Sequence, residues 1–185
     1  MATGTWALGW ATNDIVSAAE YGKGAGCIYD TTLGAGAASI DVTSIIGSYA
    51  HLLVVGYLRS DTAAVTTGSL LRFNGDSAAN YGWYSLIGTA SSATATAITD
   101  NVAPIAAATA TAGIFTAIEW LIPHYAGTAN FKSVVWGGGT AQTSGNISSA
   151  QGVWRSATAI NRITVSAGAG SLITGSRFSI YAFGA

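Results

Sequence analysis

Charged side chains are scarce in this chain. Lys and Arg number 7 and Asp and Glu number 8 among 185 residues, so that 8% of the chain is charged, whereas a typical soluble domain carries about 25%. Hydrophobic residues make up 50% of the chain, and the mean hydropathy is +0.42. A folded monomer of this size exposes on the order of 8,000 Å², too much for so few ionised groups to cover. We therefore expect a membrane or a protein assembly to cover part of the surface.

Long apolar runs are also lacking. A membrane-spanning helix needs about 20 mostly apolar residues, and the best runs, at 52–58 and 113–122, are shorter; the second contains Glu119. No basic stretch precedes an apolar one near Met1, so a secretory signal is not evident and we expect assembly in a cytoplasm. These observations favour a protein partner over a membrane.

Basic clusters and cysteine pairs are absent as well. The net charge is −1 and no stretch concentrates Lys or Arg, so nucleic acid is not an expected partner. The single cysteine, Cys27, excludes an intramolecular disulfide and a thiolate metal site. We expect Cys27 to be a small buried residue, with a reactive thiol as the alternative. The glycines form no phosphate-binding motif, and we expect no cofactor.

Residues 1–36 are predicted to form an N-terminal arm or linker. Thr12 or Asn13 can cap a short helix over 14–21, and the glycines between 22 and 36 are typical of a flexible connection. Trp6, Trp10, Asp14 and Tyr21 are the candidate docking residues of this arm. The alternative is an N-terminal strand and loop folded onto its own domain.

Strand patterns dominate residues 37–185. The segment 49–59 is the clearest, and because both of its faces are apolar it is expected to be central, or covered by another sheet or subunit. The other predicted strands are 38–42, 69–73, 82–87, 93–99, 113–122, 131–136, 153–156, 159–165 and 177–183. About eight or nine strands without a long helix predict an all-β fold, an antiparallel β-sandwich of the jelly-roll type.

The densest group of polar residues surrounds a turn at Asn74-Gly75-Asp76. Its carbonyl and carboxylate oxygens are the kind of ligands that Ca²⁺ takes, but the spacing does not match the calcium-loop pattern. We therefore expect no metal here. Instead, we expect Asp76 to accept turn hydrogen bonds or to pair with Arg72, which would lie beside Phe73 and Tyr81.

Catalytic residues are hardly represented, and we expect no enzyme activity. A glycosidase needs two carboxylates about 5 to 9 Å apart, and Asp76 with Glu119 is the one pairing of a strand-end and a strand-interior carboxylate. Glu119 is more simply interpreted as an inward-facing group paired with Arg162 or Arg177.

The candidate general bases and the sugar-stacking aromatics also have simpler structural interpretations. The serines lack a G-x-S-x-G motif, and His51 and His124 are expected to be hydrogen-bonded structural residues. Tryptophan and tyrosine leave glycan binding open, with Trp83 and Trp136 as candidates, although most of these rings should lie in the core or at subunit contacts.

Three motifs follow one another along most of the chain. They are YAHLLVVGYLRSD at 49–61, LRFNGD at 71–76 with Asn80-Tyr81, and INRI at 160–163 with GSRFSIY at 175–181. In these motifs the chain resembles a family of virion structural proteins of tailed bacteriophages. The segment WATNDIVSAAE at 10–20 is similar to the lead-in segment of many phage fibre and surface proteins.

The resemblance implies a structural role on a virus particle. Heptads and β-helical repeats of a long fibre shaft are missing, so we expect a capsid decoration (cement) protein that binds the major capsid protein at the virion surface, anchored by its arm. Local threefold axes of a capsid favour a homotrimer. The alternative is a tail-fibre or baseplate head domain that binds a host-surface glycan.

Overall fold

The structure, a computed structural model, describes residues 26–98, 102–140, 142 and 145–184. In these residues the chain forms twelve strands and no helix. The strands are β1 (Gly26–Thr32), β2 (Ser39–Val42), β3 (His51–Leu58), β4 (Thr66–Phe73), β5 (Tyr81–Gly88), β6 (Ala93–Ile98), β7 (Val102–Ala106), β8 (Thr116–Pro123), β9 (Lys132–Thr140), β10 (Asn146–Trp154), β11 (Ile163–Ala167) and β12 (Arg177–Phe183).

The strands form two antiparallel sheets. The large sheet has eight strands in the order β1-β12-β3-β8-β9-β10-β5-β6, and the small sheet has four in the order β2-β11-β4-β7. The predicted all-β class and antiparallel β-sandwich are therefore confirmed. The unequal division of the strands does not establish a jelly roll.

The hydrophobic core lies between the two sheets. Along β3, alternate residues from Leu52 to Leu58 are buried, and β8 alternates in the same way from Thr116 to Ile122. Because successive side chains of a strand point to opposite faces, these strands turn one apolar face to the core and the other to the outside. The core includes large rings that are almost fully buried: Trp83, Trp120, Trp136, Tyr81, Tyr125, Phe73 and Phe178.

The sandwich begins earlier than the boundary expected at residue 37. Residues 26–32, assigned to the linker, form β1 and pair with β12 along the edge of the large sheet. The short helix expected over 14–21 and the residues Trp6, Trp10, Asp14 and Tyr21 lie outside the described residues.

The sequence patterns did not predict β7, and they predicted only the end of β10. β7 contains Pro104, which is tolerated because β7 is the last strand of the small sheet, where one side of the backbone needs no ladder partner. Most of β10 precedes the strand predicted at 153–156, in a polar stretch rich in Ser and Gly. Pairing with β9 and β5 on its two sides stabilises it there.

Candidate interaction surface

The outward side of the large sheet is the most unusual surface of the molecule. We call it the outer face and define it by two rows of side chains that the strand register aligns. One row is Tyr181, Leu53, Leu121, Val135, Gln151, Tyr84 and Ala97. The next row is Ser179, Val55, Glu119, Gly137, Ser149, Leu86 and Ala95, and Tyr57, Ala117 and Ile147 lie just beyond it.

The outer face is both apolar and open to solvent. The exposed fraction is 77% for Tyr84, 72% for Ile147 and 55% for Leu86. Tyr57, Leu121 and Val135 are also exposed. Single exposed apolar side chains are ordinary, but a contiguous group of them marks an interaction site. The outer face therefore qualifies as a candidate interaction surface.

A groove of about 820 Å³ crosses the outer face. Its floor includes Gly137, Gly139 and Gly88, which leave the backbone bare where neighbouring positions carry side chains. An added Cβ would lie 3.9 Å from a Glu119 carboxylate oxygen at Gly137 and 3.2 Å from an Ile147 methyl group at Gly88. The groove thus has a carboxylate on one side and an aliphatic side chain on the other.

Glu119 is the only charged side chain in the described part of the chain that makes no hydrogen bond, ion pair or ring contact with another described residue. It is exposed in the middle of the outer face, opposite Val55 and Gly137. The prediction that Glu119 points inward and pairs with an arginine is wrong. Arg162 pairs with Asp41, and Arg177 pairs with Asp30, both at 2.8 Å. Odd-numbered positions of β8 face outward, so Glu119 is accessible to a partner.

The outward side of the small sheet has a different character. Asp41 accepts two hydrogen bonds from Arg162, each of 2.8 Å, and one from Thr164. Arg162 is the main cause of the lowered pKa of Asp41, through its hydrogen bonds. Ser39 and Ser166 continue this polar surface. The apolar surface is therefore confined to one side of the sandwich.

The turn at 74–76 is a structural element. The Asp76 carboxylate accepts hydrogen bonds from Trp154 Nε1 at 2.7 Å, Asn80 Nδ2 at 2.8 Å and the backbone N–H of Ala78 at 2.9 Å. The Trp154 hydrogen bond, followed by that of Asn80, lowers the pKa of Asp76. The bond from Ala78, two residues further along the chain, is a turn hydrogen bond of the kind predicted for Asp76.

The rest of the motif packs around this carboxylate. Tyr81 accepts a hydrogen bond from the backbone N–H of Phe73 at 3.0 Å, and the Arg72 guanidinium lies 5.0 Å from the centre of the Tyr81 ring. Asn74 adopts a positive φ of 53° and its side chain accepts from the backbone N–H groups of Asn161 and Arg162. The structure thus brings Arg72, Asn74, Asp76 and Tyr81 together as a structural clamp.

The carboxylate pair weighed for hydrolysis does not form. Asp76 reaches Trp154, whose buried ring lies on the core side of the large sheet, whereas Glu119 lies on the outer face. The sheet itself separates the two carboxylates. His51 and His124 do meet, with ring centroids 5.3 Å apart, and His51 Nδ1 accepts from the backbone N–H of His124 at 3.4 Å.

The expected burial of Cys27 is wrong, whereas the two tryptophans named for the alternative glycan site lie in the core, where most of these rings were expected. Trp83 and Trp136, the candidate sugar-stacking rings, are 2% and 1% exposed and belong to the core, because their strand positions face inward. Cys27, expected to be buried, is an exposed free thiol. Its position on β1 opposite Tyr181 places it on the outward side at the sheet edge.

Apart from Glu119, the side chains that define the outer face were not singled out individually in the sequence. Tyr84 and Leu86 lie in a predicted strand, but Trp83 and Tyr84 are adjacent aromatics and the pattern does not say which one faces the core. The available signal was the apolar character of both faces of 49–59. This segment is indeed central; on its outward side Val55 is half-buried and Tyr57 is exposed, with its ring stacked on Phe115 at a centroid distance of 4.9 Å.

Comparisons with protein family models, with curated proteins and with solved structures found no match. The resemblance to phage virion proteins therefore stays a prediction. Among the described residues no group of His, Cys, Asp and Glu is placed to hold a metal ion, and no helix has the length and apolarity to span a membrane.

Proposed function

We propose that this protein is a structural subunit of a tailed-bacteriophage virion, a decoration protein that binds the major capsid protein and stabilises the head. The observation that carries the proposal is the outer face, a solvent-exposed apolar sheet surface with one unpartnered carboxylate at its centre. Such a surface gains free energy when another protein covers it, since burial of apolar area is the main favourable term in association. The resemblance of the sequence motifs to virion proteins of tailed bacteriophages is the reason for proposing a phage particle.

The charge distribution specifies what the partner must offer. Leaving Glu119 buried without a partner would cost several kcal/mol, so the covering surface has to supply a Lys, an Arg or N–H donors at that point. Around it, the partner presents small apolar side chains that fit the groove above Gly137 and Gly139. A standard interface of about 800 Å² per partner would cover most of the outer face. Self-association into a trimer adds further burial and remains part of the proposal.

The test is co-sedimentation of the purified protein with undecorated heads assembled from the major capsid protein of the same genome. We expect saturable binding that Leu86→Lys and Ile147→Lys abolish, because each places a charge in the apolar interface. Ser39→Lys, on the exposed outward side of the small sheet, is the matched control and should bind like the parent protein.

Glu119 gives a second readout of the same interface. Glu119→Lys should weaken head binding more than Glu119→Gln, because it repels a cationic partner group while Gln keeps the shape. Equal binding by all of these variants, or a protein found only at the tail, would contradict the proposal. The arm has its own test in the full-length chain: Trp6→Ala with Trp10→Ala should lower head occupancy if these rings anchor the protein.

A further inference from the structure

The edges of the two sheets differ in how they are blocked. An uncovered edge strand presents unpaired backbone N–H and C=O groups, and folded proteins protect such edges with bulges, charges, prolines or short strands. β1 has an irregularity between Cys27 and Tyr29 and carries Asp30. β2 has only 4 residues and contains Asp41, and β7 contains Pro104. These three edges of the described fold are therefore protected against pairing.

The fourth edge, β6, lacks all of these features. It pairs with β5 in unbroken register from Trp83–Ile98 to Gly88–Ala93. Its sequence, ATATAI, contains no charge and no proline, and residues 93–97 are exposed. No backbone hydrogen bond joins its free edge to another described residue. β6 is therefore available for strand pairing.

We propose that the free edge of β6 pairs antiparallel with β6 of a second copy of this chain, in a register centred on Ala95. The strand sequence is a mirror image about this residue, with Thr94 and Thr96 on its two sides and Ala93 and Ala97 beyond them. In an antiparallel pair, directly opposite residues lie on the same face of the sheet. A sheet whose outer face continues from one copy into the next therefore needs outward-facing residues opposite outward-facing ones. The register centred on Ala95 meets this condition, and the mirror sequence makes its pairs Ala opposite Ala and Thr opposite Thr.

The same mirror symmetry selects a second copy over an unrelated strand. In a two-fold contact, a residue that meets a second residue of the other copy is matched by the reverse pair, so the pairs that this register makes occur twice. Thr–Thr neighbours across strands are favourable, whereas like charges opposite one another are destabilising. β6 brings threonines together and carries no charge. The two-fold axis stands perpendicular to the sheet, so both outer faces point the same way and join into one wider apolar surface. This inference does not depend on which partner covers that surface.

Disulfide trapping tests the pairing and its register. Opposite Cα atoms of antiparallel strands lie about 4.5 to 5.5 Å apart, which a disulfide can bridge. In a Cys27→Ser background, Ala95→Cys should form a covalent dimer on mild oxidation. Ala93→Cys alone should not, because it faces Ala97 of the other copy, but an equimolar mixture of Ala93→Cys and Ala97→Cys should. Absence of the Ala95→Cys dimer, or equally efficient trapping by Ala93→Cys alone, would overturn the proposal.

The mass in solution gives an independent measurement. The β6 contact joins single copies, or the proposed trimers, in pairs, so the parent protein should sediment as an even multiple of 18.6 kDa. Ala95→Lys should halve that mass while circular dichroism shows an unchanged β-sheet spectrum. Ala129→Lys, in an exposed loop, adds the same charge away from β6 and should leave the mass unchanged. An Ala95→Lys protein with the parent mass would show that copies associate elsewhere or not at all, and would refute the β6 contact.

Discussion

Arg59 is the residue whose loss should most clearly damage the sandwich. Its side chain is 7% exposed and its guanidinium donates to the carbonyl oxygens of Thr111 at 2.8 Å, Ile114 at 3.0 Å, Ala110 at 2.9 Å and Ala108 at 3.2 Å. No carboxylate contacts it among the described residues. The loop between β7 and β8 is thus wrapped around one buried cation.

The magnitude follows from these four contacts. A hydrogen bond to a charged group contributes about 1.5 to 3 kcal/mol, but in an Arg59→Met variant the loop can open and its carbonyls can bond to water instead. We therefore expect a loss of about 3 to 5 kcal/mol, similar to the removal of one partner from a buried ionic contact. Arg59→Lys should recover only part of it, because an ammonium has three donors and lacks the planar fork.

Urea denaturation measures this loss. With a slope of about 2 kcal/mol per molar urea, Arg59→Met should lower the unfolding midpoint by about 2 M. Arg162→Met is the matched control: its ion pair with Asp41 is at the surface, where solvent and salt screen the attraction, so the midpoint should hardly change. If both variants shift the midpoint equally, or if Arg59→Met is more stable than the parent, the reasoning about the buried guanidinium is refuted.

Three other changes give separate tests. Gly152→Ala would place a methyl group 2.1 Å from the buried Trp83 ring, so unfolding should become easier by at least about 3 kcal/mol, whereas Gly34→Ala, with open space around it, should change stability by less than about 1 kcal/mol. Hydrogen bonds from Trp154 and Asn80 hold the pKa of Asp76 below its ordinary value of about 3.9, so the ionised Asp76 stabilises the fold above that pH. The difference in unfolding free energy between the parent and Asp76→Asn should therefore shrink as pH falls from 6 to 2. Burial lowers the pKa of Lys132, so the unfolded chain binds the proton of this side chain more tightly than the folded protein does. In thermal melts the parent should therefore gain stability relative to Lys132→Met as pH rises toward about 10.4.

The sequence predicted a strand well where buried positions alternate along that strand itself. β3 and β8 alternate buried and exposed residues along their whole length, and both were predicted with nearly the observed bounds. β10 was largely missed because Ser148, Ser149 and Gly152 favour a strand only when two neighbours pair with it. For residues 26–32 the sequence left a linker and an N-terminal strand open, because the surroundings are rich in glycine and the partner β12 lies at the other end of the chain. The structure shows the strand.

The candidate surface depends on strand register, which local patterns do not encode. Tyr84, Val135 and Leu121 lie far apart in sequence and become neighbours only through the order β8-β9-β10-β5. In a strand with apolar residues on both sides, such as β3, the pattern also leaves the inward face undecided. The composition predicted that some surface is covered, and the topology shows where exposed apolar side chains lie together.

The positions of the charges strengthen the original argument from composition. In the described residues the charged groups are largely engaged within the fold: Asp30 with Arg177, Asp41 with Arg162, Asp61 with the backbone of Ser171, Asp76 and Arg72 around the turn, Arg59 and Lys132 with buried carbonyls, and Arg155 with the carbonyl of Tyr81. These groups stabilise turns, edges and loops. The Asp30–Arg177 pair lies at the β1–β12 edge of the outward side of the large sheet, and Glu119 is the one charged residue within the two rows of the outer face. Because Glu119 is central on that face and has no partner among the described residues, the proposed function requires the covering surface to supply one. A subunit of an assembly can use its few charged side chains for contacts inside its own fold. Contacts with other subunits then cover the surface that charged side chains would have to solvate in a free monomer.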